Sequence, residues 1–282
     1  MCVIIKSVEK WFKSLIKLVL HIKVNTELIF TAKKQLFNET FSEIDHNGSI
    51  TTPNQSAIKL FALRIKDWKF SFDDIQSFVT KNIGGYVFSR AKRNEYDVNE
   101  DIESLGLDAV KELKKANPSL EFGDFFSEIM LYSFLESSSN APKILSKIKL
   151  NRLSGTFSSA SSGVHLLASN DLSLKNHQLA FGASHVLNDI YSAIDNAFTQ
   201  VVNIKNNISD EISLVETSLF DNTFDDDTTA FLRDTLIPKK SRTSKPDNSF
   251  GIFLGYSISL DKTDEIDNFL KCDLLLSNCI LK

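Results

Sequence analysis

The order of elements in the centre of the chain constrains its fold most strongly. A strongly apolar helix is predicted over 124–136, followed by strands over 147–153, 164–169 and 177–184. A long amphipathic helix is then predicted over 187–204, because apolar residues recur there every three or four positions. Those residues are Leu187, Ile190, Tyr191, Ile194, Ala197, Phe198 and Val201. A helix, three strands and a second helix indicate a mixed α/β core rather than an all-helical or all-β protein.

The flanking sequence predicts shorter elements. A strand is expected within 56–66, a helix begins after Ser71, and a short helix over 105–117 ends before Pro118. A final strand begins at Phe250 and leads into a helical tail. The segments 95–103 and 209–229 are acidic, 233–245 is basic, and 46–55 has the composition of a loop.

Composition excludes some classes of protein. The chain has 282 residues, of which 42% are hydrophobic and 24% charged, so it can bury a sizeable core and is not wholly disordered. The net charge of −4 excludes a uniformly basic nucleic-acid coat but allows a local basic patch. The three cysteines, Cys2, Cys272 and Cys279, form no CxxC pair. They suggest neither a zinc ribbon nor a disulfide framework, and a reducing cytoplasm is the simplest location.

The first 24 residues are apolar but interrupted by charge. The interruptions are Lys6, Glu9, Lys10, Lys13, Lys17 and Lys23. A membrane span needs about 18 nearly uncharged residues, and a signal peptide needs an unbroken apolar run with a small-residue cleavage site. We therefore expect an amphipathic helix that packs on a partner or on the core, in preference to contact with a membrane surface.

Glu128 is the first candidate for chemistry. On the predicted helix it lies among Leu135, Tyr132, Leu131 and Phe125. A carboxylate with apolar neighbours needs a partner, a hydrogen bond or a metal ion. Glu128 is therefore either a metal ligand or orienting acid, or a residue favoured near the start of a helix by the helix dipole.

A basic window follows the helix. No acidic residue occurs between Glu136 and Asp171, and the stretch carries four positive charges, on Lys143, Lys147, Lys149 and Arg152. In the predicted first strand, Lys147 and Lys149 share one face. A local field of this kind suits DNA phosphates, although a solvated strand face has the same pattern.

Two of the five histidines, His165 and His185, lie at the ends of adjacent predicted strands. Histidine can ligate metals or act as a general base near neutral pH. The pair either shares a site or belongs to the core. Since GxxxxGK[ST], GxGxxG, HExxH and GxSxG are all absent, nothing supports an ATPase, a nucleotide-dependent oxidoreductase, a zinc protease or an α/β-hydrolase.

Six segments in a fixed order resemble a known family. The residues are GYVFSRAK from Gly85, FGDFFSEIMLY from Phe122, KIKL from Lys147, SGVHLL from Ser162, FGASHVLNDIYSAIDNAF from Phe181 and FLGY from Phe253. Over residues 55–260 they resemble HamA, the small subunit of the Hachiman anti-phage defence system. The resemblance implies a nuclease effector of the PD-(D/E)xK type that acts with HamB, a superfamily 2 helicase.

The resemblance also implies a site. In that fold a helix supplies a Glu, the second strand an Asp and the third strand a Glu-x-Lys pair, and the acids hold Mg²⁺, which polarises the phosphate and activates water. Glu128 matches the helix Glu. Ser162 stands at the Asp position of an Asp-Gly-x-His pattern in which His165 is retained. At the Glu-x-Lys position the chain has Ala183, Ser184 and His185.

The departures leave three explanations open. Mg²⁺ prefers carboxylate oxygens, whereas a set of Glu128, His165 and His185 suits Mn²⁺ or Zn²⁺ better. The site therefore uses that altered ligand set with Mg²⁺ or Mn²⁺, or it is degenerate and only binds, or Ala183 is an engineered inactivating change. In the first case Lys147 would assist the reaction.

The element order predicts a mixed α/β fold, and the resemblance implies that it is restriction-endonuclease-like, with a mixed sheet core at 120–205 flanked by helices. Residues 1–54 would form an N-terminal extension, 55–260 the HamA-like domain and 261–282 a helical tail. The expected function is a metal-dependent DNA nuclease, controlled by a HamB-like helicase in the cytoplasm without membrane association. The alternative is a non-catalytic module that docks on the helicase and restrains it. An unrelated α/β domain is the third reading.

Overall fold

The computed structural model describes residues 28, 30–45, 58–66, 69–70, 72–116, 122–153, 158–167, 177–219, 224, 229–233 and 248–256. The first half contains α1 (Lys34–Thr40), β1 (Phe41–Ile44), β2 (Leu60–Leu63), β3 (Ile65–Lys66), β4 (Lys69–Phe70), α2 (Phe72–Val87), α3 (Arg90–Val98) and α4 (Leu105–Ala116). The second half contains α5 (Phe122–Ser138), β5 (Lys143–Ser146), α6 (Lys147–Leu153), β6 (Gly163–Leu167), β7 (Gln178–Leu187), α7 (Ile190–Asn206), α8 (Ile208–Ser218) and β8 (Asn248–Tyr256).

A four-stranded mixed sheet organises the second half. Its strand order is β5-β6-β7-β8, in which β6 is antiparallel to both β5 and β7, whereas β8 is parallel to β7. Parallel neighbours need a crossover connection, and α7 lies in the connection from β7 to β8. Helix α5 precedes the sheet and α6 lies between β5 and β6, and β7 is followed by α7, α8 and the final strand β8. This order confirms the mixed α/β class.

Two apolar clusters lie on the core elements. One joins the sheet to α7 and α8 and includes Val164, Leu166, Leu179, Phe181, Ile204 and Val215. The other joins α1, α2 and α5 and includes Phe37, Phe78, Ile83, Tyr86, Ile129 and Tyr132. Helix α5 is apolar on most sides because it is buried on most sides, as expected for a helix inside a core.

The first strands pack into the same core. β1 pairs antiparallel with β2, with Phe41 opposite Leu63. Phe37 and Phe41 stack with Phe78 of α2, and their ring centroids lie 5.2–6.3 Å from one another. Residues on both sides of the expected boundary at 54/55 therefore share one packed cluster.

Most predicted elements are confirmed, with small changes at their ends. The helices expected from Ser71 and over 105–117, 124–136 and 187–204 correspond to α2, α4, α5 and α7. The predicted strands over 164–169 and 177–184 correspond to β6 and β7. Segment 97–103 is exposed, as expected for an acidic stretch. The N-terminal amphipathic segment, the loop at 46–55 and the tail at 261–282 lie outside the described residues.

The strand predicted over 147–153 is wrong. The strand is Lys143–Ser146, and Lys147–Leu153 is a helix. All four residues of β5 are buried, so this strand shows no alternation of apolar and polar residues. The alternation that begins at Lys147 instead belongs to a helical turn, at whose start the Lys149 N–H donates to Ser146 Oγ over 3.5 Å.

Within the described ranges, no helix combines the length and apolar character needed to cross a membrane.

Candidate functional site

Glu128 is held between two helices. It lies half-buried on α5, and the hydroxyl of the fully buried Tyr86 on α2 donates a hydrogen bond to its carboxylate. Burial, and then the neighbouring Glu128 charge, raise the pKa of Tyr86 well above its usual value, so the phenol keeps its proton and remains a donor. The expectation that this carboxylate needs a partner is confirmed.

Lys147 points inward rather than along an open strand face. It is the first residue of α6, and its ammonium donates to the backbone carbonyl of Ser159. Burial lowers the pKa of Lys147, and the negative charges of Glu128 and Glu211 partly oppose this effect. Glu128 and Lys147 therefore share one electrostatic environment, although they lie on different helices.

Neutral side chains form a hydrogen-bonded network that includes Ser127, the residue before Glu128 in α5. The hydroxyl of Ser184 on β7 lies 3.0 Å from that of Ser162 and 3.3 Å from that of Ser127 on α5. Gln200 of α7 donates to Ser162 Oγ over 3.0 Å and to the carbonyl of Ala160 over 2.7 Å. The side-chain carbonyl of Gln200 accepts from the Ser184 N–H over 3.2 Å. The serine hydroxyls and the Gln200 amide thus satisfy one another's hydrogen-bonding capacity, and none of these side chains is charged.

Ala183 lies inside the sheet. Its exposed fraction is 0%, and it stands in register with Ile252 of β8. Apart from Glu128, the two positions at which the resemblance implies metal-binding acids are therefore Ser162, engaged in the neutral network, and Ala183, a buried methyl group.

His165 belongs to the core. Its Nδ1–H donates to the carbonyl of Ala141 over 2.8 Å, and its ring centroid lies 6.4 Å from that of Tyr132. Because a carbonyl only accepts, this bond fixes the proton on Nδ1 of the neutral ring. Burial lowers the pKa of His165 to about 4, so the ring stays neutral at physiological pH.

His165 and His185 do not share a site, which corrects the prediction from sequence. His165 stands opposite Ala180, so these two side chains face the same side of the sheet. His185 is five residues farther along β7, which the regular pairing with β8 shows to be unbroken. An odd number of residues places His185 on the opposite face, about 16 Å along the strand at roughly 3.3 Å per residue. Its buried Nε2 has no hydrogen-bond partner among the described residues.

The residues present do not fit the expected Mg²⁺ or Mn²⁺ site. Within the described ranges, no group of three or more His, Cys, Asp or Glu side chains is placed to hold a metal ion. Glu128 supplies one carboxylate, and the neighbouring network supplies neutral hydroxyls and an amide. Hard divalent cations select carboxylate-rich oxygen sites, so a single carboxylate is a poor match.

Lys143 is not available to bind DNA, contrary to the prediction. Only 4% of it is exposed, and its ammonium donates to the backbone carbonyls of Gly85, Tyr86 and Phe88. These carbonyls lie at the C-terminal end of α2, where a cation is favoured by the helix dipole. Burial lowers the pKa of Lys143 to about 7.

Lys149 and Arg152 remain at the surface side of α6. Both line a cavity of about 450 Å³ between α3, α4 and α6, together with Lys92 and Lys111. Arg152 pairs with Glu112 of α4 at 2.5 Å. Of the four cations in the basic window, these two are the ones placed where a phosphate group could approach.

Two buried acids, Glu136 and Glu211, were not among the residues predicted from the sequence. Glu136 accepts the backbone N–H groups of Thr31 and Ala32, each over 2.6 Å, and that of Lys143 over 2.8 Å. Its position in an apolar helix is the same signal that singled out Glu128, so the sequence could have identified it.

Glu211 is the second buried acid that was not predicted from the sequence. It is fully buried and accepts from Ser159 Oγ and the Ala160 N–H, each over 2.7 Å, and from the Ser161 N–H over 3.3 Å. It therefore fixes the segment that leads into Ser162. It lies in an acidic stretch, and no feature of the sequence separates it from its neighbours.

Comparison with known proteins gives one result. No curated protein and no solved structure matches the chain. A sequence model of the HamA family matches residues 35–276, which is most of the chain. The match also extends beyond the range 55–260 over which the motifs resemble that family, at both ends. The chain therefore belongs to the HamA family.

Proposed function

We propose that this chain is a subunit of a Hachiman antiviral defence complex that binds rather than cuts. It keeps a nuclease-like core but acts as a non-catalytic module that docks on a helicase partner and restrains it. The observation that carries the proposal is the neutral network of Ser127, Ser162, Ser184 and Gln200, because Ser162 stands at a position where the resemblance implies an acidic metal ligand.

The order of elements supports a restriction-endonuclease-like origin for the core. The resemblance implies a Glu on a helix, an Asp at the second strand and a Glu-x-Lys pair on the third. Here Glu128 lies on α5, Ser162 immediately precedes β6, and Ala183 lies on β7. The order of elements is therefore the expected one. Ala183 precedes Ser184 on the regular strand β7, so its methyl group faces the opposite side of the sheet from the Ser184 hydroxyl.

Electrostatics argues against metal-dependent chemistry at this site. The charge of a divalent cation would have to be neutralised by several acids, and this site has one carboxylate among the described residues, which already accepts a hydrogen bond from Tyr86. Lys147 adds positive charge near Glu128, which further reduces the affinity for a cation. The Ser162 and Ser184 hydroxyls are engaged with each other and with Gln200.

A nuclease with an altered set of residues is the second candidate. It is favoured by one observation, the shared environment of Glu128 and Lys147, since a carboxylate and a lysine also occur together in the family's expected site. DNA would then be the substrate, and Lys149 and Arg152 would contact its phosphates.

A cleavage assay separates the two candidates. The purified chain, alone and with its helicase neighbour, is incubated with plasmid and linear DNA, ATP and either Mg²⁺ or Mn²⁺. Wild type and Glu128→Ala are compared. We expect wild type and Glu128→Ala to show the same background, while wild type co-purifies with the helicase. Cutting by wild type that Glu128→Ala abolishes would overturn the proposal, and so would a chain that never binds the helicase.

A further inference from the structure

The cavity between α3, α4 and α6 is partly lined by the core of the protein. Ile144 and Leu145 of β5 belong to its lining, and their exposed fractions are only 3% and 1%. Lys143 also belongs to the lining, but its ammonium donates to the backbone carbonyls of Tyr86 and Phe88. Small-molecule sites have volumes of roughly 300–1,000 Å³. At about 450 Å³, the cavity has the size of a site for one small ligand.

Contacts between lining residues join the three helices around the cavity. The Tyr96 hydroxyl of α3 donates to the Asp108 carboxylate of α4 over 3.1 Å. Arg152 of α6 pairs with Glu112 of α4 at 2.5 Å. All four residues line the cavity, so its walls are held together by its own side chains. The cavity is therefore preformed, as binding sites for small molecules usually are.

The lining of the cavity is positively charged, although the chain as a whole has a net charge of −4. Besides Lys143, four cations and two acids line it, namely Lys92, Lys111, Lys149 and Arg152, and Asp108 and Glu112. Lys92 pairs with Glu95, and Glu112 also lies 3.8 Å from Lys115, but neither Glu95 nor Lys115 is part of the lining. With these two neighbours included, five cations face three acids, so an excess of two positive charges remains.

The ion pairs around the cavity do not hold these cations strongly. In the pair of Lys111 with Asp108, 76% of the lysine side chain is exposed. In the pair of Arg152 with Glu112, 51% of the arginine side chain is exposed. Exposed pairs contribute little to stability because water and salt screen them. An anion that enters the cavity can therefore compete with Asp108 and Glu112 for these cations.

Aromatic rings lie beside the cations. Phe88 and Tyr96 line the cavity, and their ring centroids are 5.6 Å apart. The Lys92 ammonium lies 5.7 Å from the centroid of the Tyr96 ring. Aromatic side chains stack on bases, and cations pair with phosphates. A lining that offers both groups fits a nucleotide better than it fits a simple anion.

The excess of two positive charges favours a phosphate monoester. A monoester carries a charge of about −1.5 to −2 at pH 7, whereas a phosphodiester inside a strand carries about one negative charge. The charge of the lining therefore matches a terminal phosphate more closely than it matches the interior of a DNA strand.

We propose that the cavity binds one nucleotide through its phosphate monoester, either as a free nucleoside monophosphate or as the phosphorylated end of a nucleic-acid strand. Lys111, Lys149 and Arg152 contact the phosphate, and the aromatic rings contact the base. Neither Glu128 nor any member of the neutral network is among the described residues that line the cavity. The site is therefore separate from the candidate nuclease site, and the inference does not depend on the proposed function.

Calorimetric titration of the full chain tests the site. The probes are AMP, adenosine and inorganic phosphate, at about 0.15 M salt so that long-range charge effects are screened. We expect AMP to bind at least about tenfold more tightly than adenosine or inorganic phosphate, because only AMP engages both the cations and the rings.

Two lysines of α4 provide matched variants. Lys111→Met removes a charge from the lining and should weaken the binding of AMP at least about fivefold. Lys114→Met removes the same charge from the same helix outside the lining, and should bind AMP like wild type. Since both lysines are exposed, both variants should fold, which circular dichroism checks.

Single strands of one sequence, with and without a 5′-phosphate, distinguish the two sources of the nucleotide. If the phosphorylated strand binds more tightly than AMP and than the other strand, the cavity takes a strand end, and any weaker binding of that strand assigns the cavity to the free nucleotide. AMP that binds no more tightly than adenosine or inorganic phosphate would overturn the proposal. Equal losses in the two lysine variants, or tighter binding of a phosphoserine peptide than of AMP, would also overturn it.

Discussion

Ser184 on β7 and Ser162, immediately before β6, place their hydroxyl oxygens 3.0 Å apart. Gln200 of α7 donates to Ser162 Oγ and accepts from the Ser184 N–H, so one side chain bridges both strands. This arrangement needs small, neutral groups at the end of the sheet. The hydrogen bonds of these side chains join β7 to the segment that leads into β6.

Ala183→Glu should destabilise the protein strongly when it is made alone. Ala183 has no exposed surface, so a carboxylate at this position would be buried and would have to displace packed neighbours. Overpacking and burial of an unpaired charge should together lower the free energy of unfolding by about 3 kcal/mol or more. Val186→Glu on the exposed side of the same strand should cost less than about 1 kcal/mol. Urea unfolding of both variants measures the difference, and equal losses would show that position 183 is not packed as described.

Glu136→Gln should be among the most damaging conservative changes in the chain. The carboxylate accepts three backbone N–H groups and lies 3.9 Å from Arg90, so an amide would turn its own N–H₂ toward donors. We expect a loss of about 3 kcal/mol, comparable to breaking a buried ion pair. Glu95→Gln, at an exposed pair with Lys92, is the control and should change stability by less than about 0.5 kcal/mol. Urea unfolding measures both losses, and a Glu136→Gln variant as stable as the control would contradict this role of the carboxylate.

Lys143→Met should lower the stability of the protein, whereas Lys149→Met should lower its affinity for DNA. Lys143 neutralises the carbonyl end of α2 from inside the core, so its loss should cost about 2–3 kcal/mol of unfolding free energy. Lys149 is half-buried at the cavity between α3, α4 and α6, and its loss should instead weaken any DNA binding at low salt. Chemical unfolding and a filter-binding titration measure the two quantities. A DNA affinity that falls equally in both variants would contradict this division.

Acid should destabilise the protein through His165. The pKa of this ring is lowered from 6.5 to about 4 by burial, so between these two values the unfolded chain binds more protons than the folded chain. The free energy of unfolding therefore falls as pH drops from 6.5 toward 4, by as much as about 3 kcal/mol for this group. Urea unfolding at several pH values measures the slope.

The control for this effect is His165→Asn, whose amide can still donate to the carbonyl of Ala141 but cannot titrate in this range. We expect the slope between pH 6.5 and 4 to become shallower in this variant. Some slope should remain because burial also lowers the pKa of His177. A slope unchanged from wild type would mean that His165 is not the titrating group.

Much of the fold was predictable because its main helices obey simple periodicity. Helix α7 repeats its apolar residues every three or four positions, and α5 is too apolar to lie anywhere but inside. Strand β5 was missed because all four of its residues are buried, which removes the alternation by which a strand is recognised. The neighbouring Lys147–Leu153 segment supplied a misleading alternation instead.

The site was harder to predict than the fold. Glu128 was found because a carboxylate in an apolar helix needs a partner. Whether His165 and His185 meet depends on strand register, since a shift of one residue moves a side chain to the other face. That register is set by contacts far apart in the chain, such as His165 with Ala180, which a single sequence does not reveal. The buried role of Lys143 likewise depends on where α2 ends in space.

Gly85→Ala should lower the free energy of unfolding, whereas Gly106→Ala should raise it. A methyl group at Gly85 would lie 2.5 Å from the Tyr132 hydroxyl and 2.8 Å from the backbone oxygen of Thr31, both fixed in the core. The segments that carry Gly85, Tyr132 and Thr31 must move apart to make room. We expect the free energy of unfolding to fall by about 2–3 kcal/mol. At Gly106 on α4 the nearest atom is the Thr80 carbonyl oxygen at 3.6 Å, so alanine should stabilise the helix by about 0.5 kcal/mol. Thermal and urea unfolding measure both, and a tolerated Gly85→Ala would mean that α2 and α5 do not approach as closely as this packing requires.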